Sequence, residues 1–190
     1  MRVIAGIHKG RHLEAVPGSI TRPTSDKVRE AVFQVMGPFF ERGTCLDLFA
    51  GSGALGVEAL SRGMDKCIFV DKSPKAIHTI HENVRKLKLG DQAEVFRTDA
   101  FRALKAAAKR GLLFDLILID PPYQKVNYGK LLDLIVSLQL LKEDGILYCE
   151  HDASRPLSMQ TERFVPIKQE NYNATTGITI FQNQQRGSYH

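Results

Sequence analysis

Residues 120–123 read Asp-Pro-Pro-Tyr and follow the apolar run Leu116-Ile117-Leu118-Ile119. A strand that ends in an acid, two prolines and an aromatic suits one task, holding an amino group on a flat ring. The Asp120 carboxylate can accept one N–H of that group and the backbone carbonyl of Pro121 can accept the other. Pro121 and Pro122 fix φ and remove two backbone donors, so the local carbonyls point one way. Tyr123 offers a ring face on which a nucleobase can stack. The chemistry this favours is methylation of a base amino nitrogen.

A second chemical element lies upstream. Asp47-Leu48-Phe49-Ala50-Gly51-Ser52-Gly53-Ala54-Leu55-Gly56 follows an apolar strand and opens a helix. Its G-x-G-x-x-G spacing, with Asp71 ending the next apolar run, is formally a dinucleotide fingerprint. Asp47 argues against a dinucleotide. An acid just before the loop repels a pyrophosphate but can face the ammonium of S-adenosylmethionine. Asp71 can bind ribose hydroxyls. Asp99, in Thr98-Asp99-Ala100, can take an adenine amino group. Each acid also has a plain alternative as a helix cap, but Asp47, Asp71, Asp99 and Asp120 all fall where strands end. In a doubly wound sheet that rim is where ligands sit.

These residues need a scaffold. Strands are expected at 44–49, 66–71, 93–97, 114–120 and 145–150, with helices at 54–62, 74–88, 100–109 and 128–140. Ser25 can cap a helix from Asp26 to Met36 that Gly37-Pro38 ends, and Ser73-Pro74 starts another. Gly90 and Gly111 are candidate helix stops. Strand–helix alternation with continuously apolar strands predicts an α/β, doubly wound and mostly parallel sheet. Residues 163–169 and 177–183 predict an antiparallel C-terminal edge hairpin, making seven strands. Residues 1–15 predict a short N-terminal β-hairpin. The expected division is a basic arm at 1–24, a catalytic domain at 25–183 and a polar, frayed tail at 184–190, the fraying already suggested from Gln182.

Composition narrows the class. The chain has 190 residues, 43% hydrophobic and 25% charged, as in an ordinary globular protein. No apolar run approaches the ~20 residues of a membrane span, and the N-terminus lacks a signal-peptide pattern. Cys45, Cys67 and Cys149 each sit in an apolar run, so they read as buried free thiols of a reducing, cytoplasmic compartment. No CxxC or His/Cys cluster points to a metal. His8, His12, His78 and His81 read as surface or structural, and the basic helix face from Lys75 to Lys88 as solvated. Net charge is +5; residues 1–29 hold six basic and two acidic side chains, a net +4, which leaves +1 for the remainder. A basic arm on a near-neutral body points to a polyanion, nucleic acid first.

Asp47 to Gly56, Asp71, Asp99 and Asp120 to Tyr123 resemble the class I, amino-methylating S-adenosylmethionine-dependent methyltransferases. Met1-Arg2-Val3-Ile4-Ala5-Gly6, Lys9-Gly10-Arg11, Thr21-Arg22-Pro23-Thr24 and Val28-Arg29-Glu30-Ala31-Val32-Phe33 resemble, more narrowly, the bacterial RsmD family, guanine-N2 methyltransferases of small-subunit ribosomal RNA. The resemblance covers residues 1–183. It implies a Rossmann-like fold and S-adenosylmethionine at Asp47, Phe49, Ala50, Gly51, Ser52, Gly53, Asp71, Lys72, Asp99 and Ala100. It implies catalysis at Asp120, Pro121, Pro122 and Tyr123. Lys9, Arg11 and Arg22 are the candidate RNA phosphate contacts, and Arg22 could also close over the cofactor. The substrate would be ribosomal RNA, within an assembling small subunit, and the enzyme a monomer. Three alternatives stay open: an adenine-N6 or protein-glutamine methyltransferase, a non-catalytic RNA-binding assembly factor, and an NAD-dependent oxidoreductase. The glutamine enzymes usually carry Asn where this chain has Asp120.

Overall fold

Cys67-Ile68-Phe69-Val70 is apolar on both faces, as a strand covered by helices on either side must be. In the computed structural model, which describes residues 1–19, 25–122, 125–159 and 161–184, this run forms most of β2 (Lys66–Asp71). The same logic makes β1 (Thr44–Asp47), β3 (Ala93–Arg97) and β4 (Phe114–Ile119). β5 (Leu141–Asp152), β6 (Phe164–Asn171) and β7 (Thr176–Asn183) complete the sheet. Its order is β3-β2-β1-β4-β5-β7-β6. β1 to β5 pair in parallel and β7 pairs antiparallel with both β5 and β6. The chain winds outward from β1 to β3 and then returns to β4, so strand order reverses between β1 and β4. Ligands enter doubly wound sheets at such a reversal.

Among the described residues five helices cover the sheet: α1 (Asp26–Met36), α2 (Ala54–Ser61), α3 (Pro74–Lys86), α4 (Ala100–Lys109) and α5 (Tyr128–Ser137). Ser25 caps α1 through the Val28 N–H, and Ser73 caps α3 through the Ala76 N–H with Pro74 in the first turn. Gly37 ends α1 and Gly111, at φ +67°, ends α4. The stop expected of Gly90 falls earlier. Lys88 adopts the left-handed conformation at φ 56° and the Leu89 N–H closes on the Val84 carbonyl.

Each face of the sheet has its own core. Val32, Phe33, Leu60, Phe69, Leu118, Tyr148 and Ile178 pack on the side of α1, α2 and α3. Leu46, Ile68, Leu104, Ile117, Leu131, Ile135 and Phe181 pack on the side of α4 and α5. Successive strand side chains alternate between these faces. Cys45, Leu118 and Tyr148 lie on the first face, so Asp47, Asp120 and Glu150, each two residues further on, share it.

The N-terminal hairpin is short: Arg2 and His12 form an antiparallel bridge, and the Val3, Gly10 and Leu13 N–H groups donate to the Arg11, Val3 and Met1 carbonyls. It is docked rather than projecting: Val3 and Leu13 are buried in the first core, and Ile4 and Ala5 donate their N–H groups to the Glu58 carboxylate at 2.9 and 3.0 Å. Arg29, counted above with the basic arm, is 1% exposed and paired with Asp26. At the other end, Gln182 and Asn183 are strand rather than fray. The Asn183 amide donates to the Leu141 and Lys142 carbonyls, both at 2.9 Å. Cys45, Cys67 and Cys149 are free and buried. No helix among the described residues is long and apolar enough to cross a membrane.

Candidate active site

Asp47 and Asp71 are the last residues of β1 and β2, Asp99 lies two beyond β3, and Asp120 is the first residue after β4. The four acids therefore stand along one rim. Asp47 is 2% exposed, and one of its oxygens accepts the Gly56 N–H at 3.0 Å. Burial drives its pKa up to about 7; the Gly56 N–H opposes that rise and the nearby Asp71 charge adds to it. Asp71 clamps the turn, accepting the Gly51 N–H at 2.9 Å and the Ser73 N–H at 2.8 Å. Each oxygen retains a lone pair for a ligand.

The glycines of the loop have separate jobs. Gly51 and Gly53 take left-handed conformations at φ +56° and +83°, and a Cβ on Gly51 would meet nothing within 4 Å. The loop therefore borders open space beside Asp71. A Cβ on Gly56 would lie 2.4 Å from the Phe69 ring and 2.7 Å from the Cys67 sulfur, so that glycine lets α2 pack against β2. Phe49 is half-buried, Ala50 is buried, and the Ser52 carbonyl accepts from the Asn83 amide at 2.9 Å. Buried Asn83 also exchanges two hydrogen bonds with the Glu14 backbone, at 2.8 and 3.0 Å, and so ties the N-terminal segment to the glycine loop. Sequence reasoning missed Asn83. Its signal was a polar residue in the apolar stripe of Ala76, Ile80 and Val84.

Asp99 is exposed and caps α4, accepting the Arg102 N–H at 3.1 Å, while Ala100 is buried behind it. Lys72 is exposed on the turn after β2. Pro121 is buried and Pro122 exposed. Tyr123 and Arg22 lie outside the described residues. Lys9 and Arg11 are exposed on the hairpin turn, but they are not gathered at the rim. Ile7 donates to the Ser61 carbonyl at the far end of α2, and Arg11 donates to the Lys86 carbonyl at the far end of α3. The eight residues of α2 separate that end from the glycine loop by about 12 Å.

Behind Asp120 is a group the sequence reading did not find. Glu150, on β5, is 8% exposed and stands beside Asp120, because Ile119 and Cys149 are register partners on β4 and β5. The Tyr148 hydroxyl donates to Glu150 Oε2 at 3.3 Å. The Tyr128 hydroxyl, from α5, lies 2.9 Å from the Glu150 carbonyl and 3.2 Å from the Ile119 carbonyl, holding the two strand ends together. Burial first, then the Glu150 and Asp47 charges, raise the Asp120 pKa well above the ordinary carboxylate value. Glu150 was legible in principle: it ends the apolar run Ile146 to Cys149 just as Asp120 ends its own.

A parallel sheet in this order, with acids around a glycine loop at its reversal, defines the Rossmann-like methyltransferase class. The solved Escherichia coli structure described as "Putative methyltransferase yhhF" superimposes with a TM-score of 0.83 at 28% identity, covering 98% of this chain and 99% of that one. A family model described as Conserved hypothetical protein 95 matches residues 1–182, and the chain belongs to that RsmD-like family. It is 50% identical to the Bacillus subtilis (strain 168) protein named "Putative rRNA methyltransferase YlbH", over 97% of this chain and 100% of the relative. It is 32% identical to the Haemophilus influenzae "Ribosomal RNA small subunit methyltransferase D", over 95% of this chain and 91% of the relative.

Proposed function

We propose that this protein transfers a methyl group from S-adenosylmethionine to ribosomal RNA, at the exocyclic N2 of a guanine in the small subunit. One observation carries the reading: an acid immediately after β4, followed by two prolines, beside a glycine loop that borders open space between two further strand-end acids. The relatives' names supply the RNA class, and the RsmD-like signature at the N-terminus supplies the base and atom.

The residues fit the cofactor. Asp47 offers a carboxylate to its ammonium, Asp71 keeps lone pairs for the ribose hydroxyls, and the bare Gly51 leaves room for the ligand to approach its backbone. Asp99 and Ala100 stand where the adenine would lie, with Phe49, Ala50, Ser52, Gly53 and Lys72 shaping the cradle. When bound, S-adenosylmethionine supplies a methyl group already activated by a sulfonium. The chain supplies orientation. Asp120 and the Pro121 carbonyl hold the two amino hydrogens, which frees the nitrogen lone pair from the ring and aims it. Such alignment is worth several kcal/mol, with ~7–11 as the upper range. Pro122 stiffens the turn and Tyr123 stacks on the base. Lys9, Arg11 and Arg22 contact phosphates, and the distance of Lys9 and Arg11 from the rim means that they meet an extended RNA rather than the target nucleotide. That extent favours a partly assembled subunit as substrate.

The test uses labelled S-adenosylmethionine, small subunits from a strain lacking this protein, and RNA stripped from them. Label in N2-methylguanosine, absent with Asp120→Ala, is the expected result. Label in methyladenosine would retain the chemistry and discard guanine. No label despite cofactor binding would overturn the RNA assignment.

A further inference from the structure

We propose that the cleft between the N-terminal hairpin and α1, with the exposed ring of Phe39 beside it, is a subsite for single-stranded RNA. Arg2, Lys9 and Lys27 take backbone phosphates there and Phe39 stacks on a base. The proposal rests on the reading above, that the substrate is small-subunit RNA. It adds a place where that RNA lies away from the methylated nucleotide.

The cleft has a volume of about 500 Å³. Arg2, Lys9 and Gly10 line it from the hairpin, and Asp26, Lys27 and Glu30 line it from α1. Its two acids would repel a phosphate if they stood alone, but both are matched from behind. Asp26 accepts from Arg29 Nη2 at 2.6 Å and Glu30 accepts from Arg62 Nη2 at 3.2 Å, and both arginines are buried. Glu58 is the third acid of the cluster, shared between the same two guanidinium groups. With Arg2, Lys9 and Lys27 at the surface, five cations stand against three acids. Arg2 lies 3.5 Å from Asp26 and stays largely exposed. Lys9 and Lys27 are exposed, and neither forms a salt bridge among the described residues. A concave surface with a surplus of one charge concentrates the opposite charge.

Phe39 makes the ligand RNA rather than a simple anion. Ile7 at 79% and Phe39 at 66% are the two most exposed large apolar side chains among the described residues. Buried Arg62 brings Phe39 to the cleft. Its side chain donates to Glu30, which lines the cleft, and to the Pro38 carbonyl at 3.0 Å, while its own carbonyl accepts the Phe40 N–H at 2.7 Å. The neighbouring Ser61 carbonyl accepts the Ile7 N–H at 2.9 Å, and Lys9 follows two residues along the hairpin. Phe39 and Ile7 therefore flank one end of α2, beside Lys9 and Glu30. A basic groove next to an exposed aromatic is the combination that holds single-stranded nucleic acid, the phosphates by charge and the base by its face. An acidic peptide would use the cations and leave the ring uncovered. This end of α2 is about 12 Å from the glycine loop, so the subsite takes nucleotides that flank the target.

Two measurements read the subsite: methylation kinetics on small subunits from a strain lacking this protein, and affinity for RNA stripped from them over a salt series. Phe39→Ala should raise KM roughly 5- to 100-fold, with a much smaller change in kcat, and weaken binding to stripped RNA to match. Phe39→Tyr should restore both, and Phe39→Leu, apolar but without a ring, should not. Lys27→Ala should reduce the slope of log affinity against log salt by about 0.7–0.9. Lys105→Ala, at an exposed lysine on α4, should leave that slope unchanged. Phe39→Ala binding RNA as wild type does, or Lys27→Ala with an unaltered slope, would overturn the subsite. A rise in KM on subunits with unchanged affinity for stripped RNA would assign the face to a protein of the particle, and would overturn it too. Wild-type protein that methylates no small-subunit RNA would overturn the functional reading, whereas the salt slopes on stripped RNA would still report on the cleft.

Discussion

Two buried carboxylate sites in this molecule differ in what surrounds them. Glu58, in α2, is 0% exposed and fully matched. It accepts N–H groups from Ile4 and Ala5, pairs with Arg62 Nε at 2.9 Å, and lies 3.9 Å from Arg29. Arg62 is itself satisfied by the Pro38 carbonyl and Glu30, with its guanidinium 4.8 Å over the Phe33 ring. Around Asp120 the neighbours act the other way: burial and two further acids all oppose its charge. An acid matched within the fold joins elements; here it ties the N-terminal segment and α1 to α2. An acid placed among other acids keeps unsatisfied accepting capacity for a ligand that brings the donors.

That contrast can be broken from either side. The largest effect should come from Asp120→Ala, with methyl transfer falling at least about 10³-fold while calorimetry finds cofactor binding within a few-fold of wild type. A variant that keeps full turnover would remove Asp120 from the chemistry. Next, Glu58→Ala should cost about 3–5 kcal/mol in urea unfolding, since the buried Arg29 and Arg62 each lose one of their carboxylates and the Ile4 and Ala5 N–H groups lose their acceptor. A loss under 1 kcal/mol would mean that the cluster is not matched in the way described.

Asp47 sharpens the comparison through pH. Its folded-state pKa is raised, from 3.8 to about 7, so the protonated form prevails below pH 7. Only the ionised form attracts an ammonium. Cofactor affinity should therefore weaken as pH falls through 7, by up to about tenfold per unit, and Asp47→Asn should flatten that dependence while weakening binding at pH 8. In the ligand-free protein the same shift has the opposite sign. Stability associated with Asp47 is present below about pH 4 and lost as pH rises through 7, so Asp47→Asn should reduce that loss in thermal unfolding. The smallest effect should be at Lys9. Lys9→Ala should reduce the slope of log affinity against log salt for RNA by about 0.7–0.9 and leave kcat unchanged.

Legibility followed how local the determining interactions are. β2 and β3 have the residue ranges expected of them, because their apolar runs are bounded by polar turns. α4 likewise spans 100–109, set by the Asp99 cap and Gly111. β5 begins four residues before the expected position, at Leu141, because Leu141 pairs with Phe114 on β4 and nothing in Lys142-Glu143-Asp144 advertises a strand. The N-terminal hairpin was legible from its alternation and glycines, whereas its docking on α2 was not, because that depends on the remote Glu58 and Ser61 side chains. Arg29 reads as surface charge in a helical pattern and is buried only because Glu58 and Asp26 lie beside it.

The sequence alone determined the alternation of strands and helices, the glycine loop, and the placing of an acid at the end of each of the first four strands. Those features depend on residue type and short spacing, which the chain carries locally. Tertiary structure decided which acids become partners. Glu58 meets Ile4 and Ala5 across more than fifty residues, and Glu150 meets Asp120 across thirty, only after the sheet has set β5 against β4. The energy of a buried charge depends on what stands within a few ångströms of it, and that is a property of the folded packing.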